Sequence, residues 1–147
     1  MKIYFAGSIS AGREDQPLYE KIVALLKEYG TVATELIGSP NLRASGEHLS
    51  DKEIHDRDME WLLQSECVVA EVTHPSLGVG YEIARACAAG IPVLALFRTQ
   101  SDRRLSAMIA GCDGVVVNCY TEIDQVKPLL IGFFASRGLI KADNIPA

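Results

Sequence analysis

Apolar residues along the chain gather into five short runs, and between the runs they recur at helical spacing. Residues 3–6, 31–36, 67–72, 93–97 and 115–119 have the length and β-branched or apolar content of buried strands. Between the first two, Leu18, Ile22, Leu25 and Leu26 mark the buried face of a helix over residues 16–29, with Gly30 as its stop. The same reading predicts helices over 51–65, over 78–89 with Gly90 as cap, over a short stretch 105–110, and over about 123–136. Residues 38–50, rich in Gly, Ser, Pro and Asn, read as a long loop, and long loops are often functional.

Nearly all-apolar strands that alternate with helices call for a parallel sheet covered on both faces. The expected fold is therefore α/β, a flavodoxin-like, doubly wound five-stranded parallel sheet with helices on both faces. Ligands in such sheets bind beyond the carboxyl ends of the strands, which directs attention to residues 7–13, 71–82 and 98–106. Length changes the picture only by fixing the number of domains: 147 residues make one, over 1–137, with 138–147 as a flexible C-terminal tail.

Hydrophobic residues at 48%, charged residues at 22% and a mean hydropathy of +0.13 describe a compact globule and exclude a disordered chain. A net charge of −5 excludes the basic footprint of a protein that grips a nucleic-acid polymer. The apolar N-terminal run is shorter than a signal-peptide core, and no stretch approaches the roughly 20 apolar residues of a membrane helix. The expectation is a soluble cytoplasmic protein without a membrane partner, nuclear entry being left open. Cys67, Cys87, Cys112 and Cys119 form no CxxC pair and read as reduced structural thiols. His48, His55 and His74 are not expected to ligate a metal, because the acidic residues near His55 point around the helix in different phases.

Three stretches carry candidate chemistry. Gly7-Ser8-Ile9-Ser10-Ala11-Gly12 follows the first strand, where backbone N–H groups can approach an anion or simply make a tight turn. Glu71-Val72-Thr73-His74-Pro75-Ser76-Leu77-Gly78-Val79-Gly80-Tyr81-Glu82 opens the third helix with two glycines and places Glu82 in what reads as its first turn. There Glu82 is either an ionised, positioned nucleophile or base, or a plain complement to the helix dipole. Asp58 interrupts the stripe formed by Ile54, Trp61 and Leu62, as a partly buried proton carrier or as an acid at the stripe's edge. Two carboxylates with distinct proton duties suit glycosidic cleavage through an oxocarbenium-like transition state, among other reactions.

Taken together, the segments IYFAGSI, RDMEWL, EVTHPSLGVGYE and LSAMI, in one order and register from about residue 2 to 134, resemble the 2′-deoxynucleoside 5′-phosphate N-hydrolases of the nucleoside 2-deoxyribosyltransferase superfamily. The resemblance implies hydrolysis of the N-glycosidic bond of 2′-deoxynucleoside 5′-monophosphates to free base and 2-deoxyribose 5-phosphate. In that scheme Glu82 attacks C1′, Asp58 protonates the departing base or manages protons around it, and Tyr4 holds the Glu82 carboxylate. It also implies no metal or organic cofactor, and a homodimer in which Ser106 and Met108 reach the neighbouring subunit's site.

The resemblance further places Ser76 and Ser106 where nucleoside-using transferases tend to carry Asp and Asn. A hydroxyl at position 76 donates to a 5′-phosphate that a carboxylate would repel. Gly7, Ser8, Gly78 and Gly80 complete the expected phosphate contacts. Ser10 departs from the pattern, since the hydrolases usually carry Arg there; Arg13 or Arg98 are the candidates to compensate. Three other readings stay open at this point: a deoxyribosyltransferase, a ribonucleotide (CMP-type) N-hydrolase, and a non-catalytic nucleotide-binding module. Asn41, Leu42, Arg43 and His48 are candidates for the base pocket.

Overall fold

The computed structural model describes residues 1–8, 15–34, 49–99 and 102–141. Five parallel strands, β1 (Lys2–Ala6), β2 (Thr31–Ala33), β3 (Cys67–Glu71), β4 (Val93–Arg98) and β5 (Val115–Tyr120), lie in the order β2-β1-β3-β4-β5. This is the flavodoxin-like doubly wound arrangement expected from the pattern. The helices among the described residues are α1 (Gln16–Lys27), α2 (Asp51–Leu63), α3 (Leu77–Ala88), the short α4 (Ala107–Ala110) and α5 (Val126–Ser136), the last preceded by a 3₁₀ turn over Ile123–Gln125. The expected long loop falls largely on residues outside the described ones, as does residues 142–147 of the expected tail. Leu139 and Ile140 pack against the core, so the folded body extends past the predicted boundary at 137.

Strand alternation sorts the buried side chains into two cores, one on each face of the sheet. Ile3, Phe5, Cys67, Val69, Leu94 and Leu96 face α1 and α5, meeting Ile22, Leu26, Leu130 and Phe134. Tyr4, Ala6, Val68, Ala70 and Val93 face α2 and α3, meeting Met59, Leu62, Val79, Ile83 and Ala86. β3 is buried along its whole length because both of its faces are covered, which explains its continuous apolar sequence up to Glu71.

The helix ends follow from local chemistry. Ser50 and Glu53 form a reciprocal capping box at the start of α2, the Glu53 carboxylate accepting from Ser50 N at 2.8 Å. α3 stops in a Schellman motif: Gly90 has φ +71°, its N–H donates to Cys87 O, and Ile91 N–H donates to Ala86 O. Gly30 is needed for a different reason. A methyl built on it would stand 1.9 Å from Met1 O, where β1 begins alongside β2.

β1 feeds α1 on one face and β3 feeds α3 on the other, so the chain leaves these paired neighbours in opposite directions. That divergence opens a crevice above their carboxyl ends, where Ala6 pairs with Ala70.

Candidate active site

Tyr4 sits in the middle of β1 on the α3 side and is 1% exposed. Its hydroxyl donates to Glu82 Oε1 at 2.5 Å across 78 positions of sequence. α3 begins at Leu77, with Ser76 as its N-cap, so Glu82 is the sixth helical residue and lies in the second turn. Dipole stabilisation is concentrated in the first turn. The Tyr4 hydroxyl holds this carboxylate, and the helix end is a turn away.

Asp58 is buried on α2 beside Met59 and Leu62. Arg57 takes its Oδ1, with Nε at 2.9 Å and Nη2 at 2.8 Å, while the guanidinium lies 4.8 Å from the centre of the Trp61 ring. The acid on the apolar stripe is thus an inward-facing group supplied with its own cation. One turn earlier, His55 Nε2 stands 3.0 Å from Tyr81 Oη, and Arg85 Nη1 donates to the same oxygen at 2.7 Å. Tyr81 precedes Glu82, so this bridge links the two helices that carry the two carboxylates. The sequence reading weighed His55 only as a metal ligand and missed this contact, which joins positions 26 apart.

Those of the predicted anion-binding residues that are described divide into three groups. Gly7 and Ser8 follow β1 at the crevice, Ser8 being 2% exposed. Ser76 Oγ accepts from Val79 N–H at 3.4 Å as the N-cap of α3, which leaves its own hydroxyl hydrogen available to an anion. A methyl on Gly80 would meet nothing within 4 Å, and one on Gly78 only Ser76 Oγ at 3.8 Å, so there is open space beside both positions at the start of α3. Ser106 is the exposed N-cap of α4 and makes no side-chain capping bond; Met108, two residues on, is 83% exposed. Ser10, Arg13, Asn41, Leu42, Arg43 and His48 lie outside the described residues.

Arg98 does not stand free to replace the missing Arg at position 10. Its Nη2 donates to both oxygens of Asp15, at 2.9 and 3.0 Å. His74 Nδ1 comes within 2.6 Å of Asp15 Oδ2, at ion-pair distance but off the line of a ring N–H bond. Asp15 is buried at the head of α1 and, thus engaged, makes no capping bond there.

Behind this trio lies a carboxyl that the sequence reading passed over. Glu71, at the end of β3, is fully buried and accepts from the Thr73 hydroxyl, from Thr73 N at 3.3 Å and from the Tyr120 hydroxyl at 3.0 Å. Thr73 Oγ1 in turn accepts from Arg98 N at 2.8 Å. The network fastens the segment between β3 and α3, which carries Ser76, to the ends of β4 and β5. A charged residue closing an all-apolar strand was the signal that would have found it.

Burial pushes the Glu71 carboxyl above its usual range, more than its three donors pull it down. A carboxyl raised on folding holds its proton more tightly in the native state, so this group's contribution is most favourable at low pH and is lost as pH rises through the raised value. Urea unfolding of wild type and Glu71→Gln between pH 4.5 and 8 should therefore show the variant gaining on wild type as pH rises. Parallel stability profiles would remove Glu71 as the titrating group.

Among the described residues, no cluster of three or more His, Cys, Asp or Glu side chains is arranged to hold a metal ion. The profile of the nucleoside 2-deoxyribosyltransferase family matches residues 3–106, a stretch that contains Tyr4, Asp58, Ser76 and Glu82. The chain belongs to this family.

Its relatives include the 5-hydroxymethyl-dUMP N-hydrolase of Tetraodon nigroviridis, 51% identical over 142 residues that cover 93% of this chain and 99% of that one. The protein of the same name from Mus musculus is 57% identical over 137 residues, 90% of this chain and 79% of the mouse chain. Among solved structures, a 2-deoxyribosyltransferase from Bacillus psychrosaccharolyticus superposes with a TM-score of 0.65 at 17% identity over 86% of this chain and 90% of that one. A CMP N-glycosidase from Clostridium botulinum gives 0.64 at 16% identity, over 90% and 99%. These two show that the deoxyribosyltransferase-family fold is shared. Within that fold, the Tyr4–Glu82 bond joins the middle of β1 to the second turn of α3.

Proposed function

We propose that this chain is an N-glycosidase that hydrolyses 2′-deoxynucleoside 5′-monophosphates to free base and 2-deoxyribose 5-phosphate. The observation that carries the reading is the 2.5 Å bond from the buried Tyr4 hydroxyl to Glu82 Oε1. With Oε1 held, Glu82 presents its other oxygen in a fixed direction, as a nucleophile at C1′ requires. Attack on C1′ forms a glycosyl–Glu82 ester as the bond to the base breaks, and Asp58 delivers a proton to the departing base. Water then attacks C1′ and cleaves the ester, its proton passing to Asp58, which gives 2-deoxyribose 5-phosphate, returns the Glu82 carboxylate and restores the proton Asp58 gave to the base. A deoxyribose is preferred because a 2′-hydroxyl withdraws electrons from the oxocarbenium-like centre.

The 5′-phosphate is held by Ser8, the Ser76 hydroxyl and the Gly78 amide, with Gly7 and Gly80 giving the backbone room to approach, and Ser10 and Arg13 are proposed to assist. Arg98 serves indirectly, through its grip on Asp15. The active form is a homodimer in which Ser106 and Met108 enter the neighbouring site. The support for this is that Ser106 has no capping duty, and that Leu77 and Met108 expose 96% and 83% of their surface, unusual for large apolar side chains. The four free cysteines fit a cytoplasmic protein.

Chromatography of released base from 5-hydroxymethyl-dUMP, dGMP, deoxyguanosine and GMP tests the reading, the first substrate being suggested by the names of the relatives. Release is expected from the two deoxynucleotides, and at least about tenfold less from deoxyguanosine and from GMP, the loss a missing charge-assisted hydrogen bond produces. Release from deoxyguanosine alone would overturn the phosphate assignment. Transfer of the sugar to an added free base in preference to water would make the protein a transferase.

A further inference from the structure

Two of the four cysteines, 25 positions apart in sequence, meet in the fold. Cys87 lies near the end of α3, one and a half turns beyond Glu82, and Cys112 lies in the turn between α4 and β5. Both are half-buried, whereas Cys67 is fully buried and Cys119 is exposed on the edge strand β5. All four thiols are free, and Cys67 alone is fully buried.

Gly114 explains how the pair is accommodated. A methyl built on it would stand 3.1 Å from Cys87 Sγ, 3.4 Å from Cys87 Cβ and 3.8 Å from Cys112 Sγ, so both sulfurs share one small cleft that a larger residue would fill. Burial, and after it the neighbouring Cys112 sulfur, holds the Cys87 proton more tightly than in a free thiol. Burial pushes Cys67 up to about 12, which leaves it inert.

We propose that Cys87 and Cys112 are a modification site, a dithiol that a peroxide converts to a disulfide clamping α3 to the α4–β5 corner. The Cys112 thiolate attacks one oxygen of hydrogen peroxide, becomes a sulfenic acid and releases hydroxide. Cys87 gives its proton to that hydroxide, and its sulfur then attacks the Cys112 sulfur, forming the S–S bond and expelling the second hydroxide, which takes up the proton released when Cys112 ionised. The sum is two thiols and one peroxide going to one disulfide and two waters, the sulfur pair losing two electrons and the peroxide gaining them. A reduced thiol closes the cycle by exchange.

Closing the bond brings the sulfurs to about 2.05 Å, so one side of the cleft must move. α3 is anchored through Val79, Ile83 and Ala86, whereas α4 has four residues and none of them is buried. The corner that carries Cys112 moves, and with it Ser106 and Met108 at the other end of α4. This consequence for the site rests on the phosphate role proposed for Ser106, whereas the dithiol itself does not.

The full-length protein is treated with a few equivalents of hydrogen peroxide, alkylated, digested without reductant and analysed by mass spectrometry. A Cys87–Cys112 cross-linked peptide lighter by two hydrogens and reversed by dithiothreitol is expected, with Cys67 remaining a free thiol. It should be lost in Cys87→Ser and in Cys112→Ser, each of which should fold with an unchanged circular dichroism spectrum. Over-oxidation of Cys112 with Cys87 still alkylatable, or a cross-link through Cys119 instead, overturns the proposal. In the same samples, oxidation should raise KM for dGMP at least about threefold with little change in kcat, and Cys87→Ser should resist the effect. A reversible cross-link with KM unchanged overturns the coupling to Ser106, and absence of turnover in reduced wild type points instead to failure of the substrate reading.

Discussion

Glu82→Gln should release base from dGMP at least about 10⁴-fold more slowly than wild type, the scale expected when a covalent nucleophile is removed from a preorganised site. Gln is the informative replacement because its amide oxygen can still accept from the Tyr4 hydroxyl. Its melting temperature should therefore stay within a few degrees of wild type. Glu82→Ala should lose as much activity and more stability, since it takes this acceptor away from a buried hydroxyl, which costs about 1–3 kcal/mol. At this chain length that is a fall in Tm of a few degrees per kcal/mol. Rapid acid quenching of wild type during turnover, followed by peptide mass analysis, should find the deoxyribosyl phosphate on the peptide containing Glu82. Turnover by the Gln variant within about tenfold of wild type would dismiss Glu82 as the nucleophile.

Asp58→Asn is expected to cost about 10²–10⁴-fold in kcat on natural deoxynucleotides, the contribution typical of a positioned general acid. Asn keeps the shape and an acceptor oxygen for Arg57, so the fold should survive, although the ion pair at 2.8 Å becomes a neutral contact. A second readout separates proton delivery from positioning. On a 2-deoxyribosyl 5-phosphate bearing a leaving group acidic enough to depart unprotonated, the Asn variant should recover most of wild-type activity. An equal loss on both substrates would instead assign Asp58 to holding α2, Arg57 and Trp61 in place.

Period and composition alone determined most of the architecture. Five apolar runs, the glycine stop at Gly90 and the acids at positions 58 and 82 were all readable, because strand burial and helix termination are local matters of side-chain type and backbone freedom. The capping box at Ser50 and Glu53 was equally present in the sequence and went unread. α3 starts one residue earlier than its pattern suggests, but Glu82 is past the first turn from either start, fifth from Gly78 and sixth from Leu77, so the helix end is not what the sequence should credit for holding it.

Contacts between distant parts of the chain were decided by the tertiary structure. That Arg98 serves Asp15, that His55 reaches Tyr81, that Tyr120 reaches Glu71 and that Cys87 meets Cys112 all depend on which elements the strand order β2-β1-β3-β4-β5 brings together. Each residue's type announces what bonds it can make. Its partner is chosen by the packing of the sheet, because an arginine or a thiol pairs with whatever group the closed core leaves within a few ångströms, and sequence separation has no bearing on that distance.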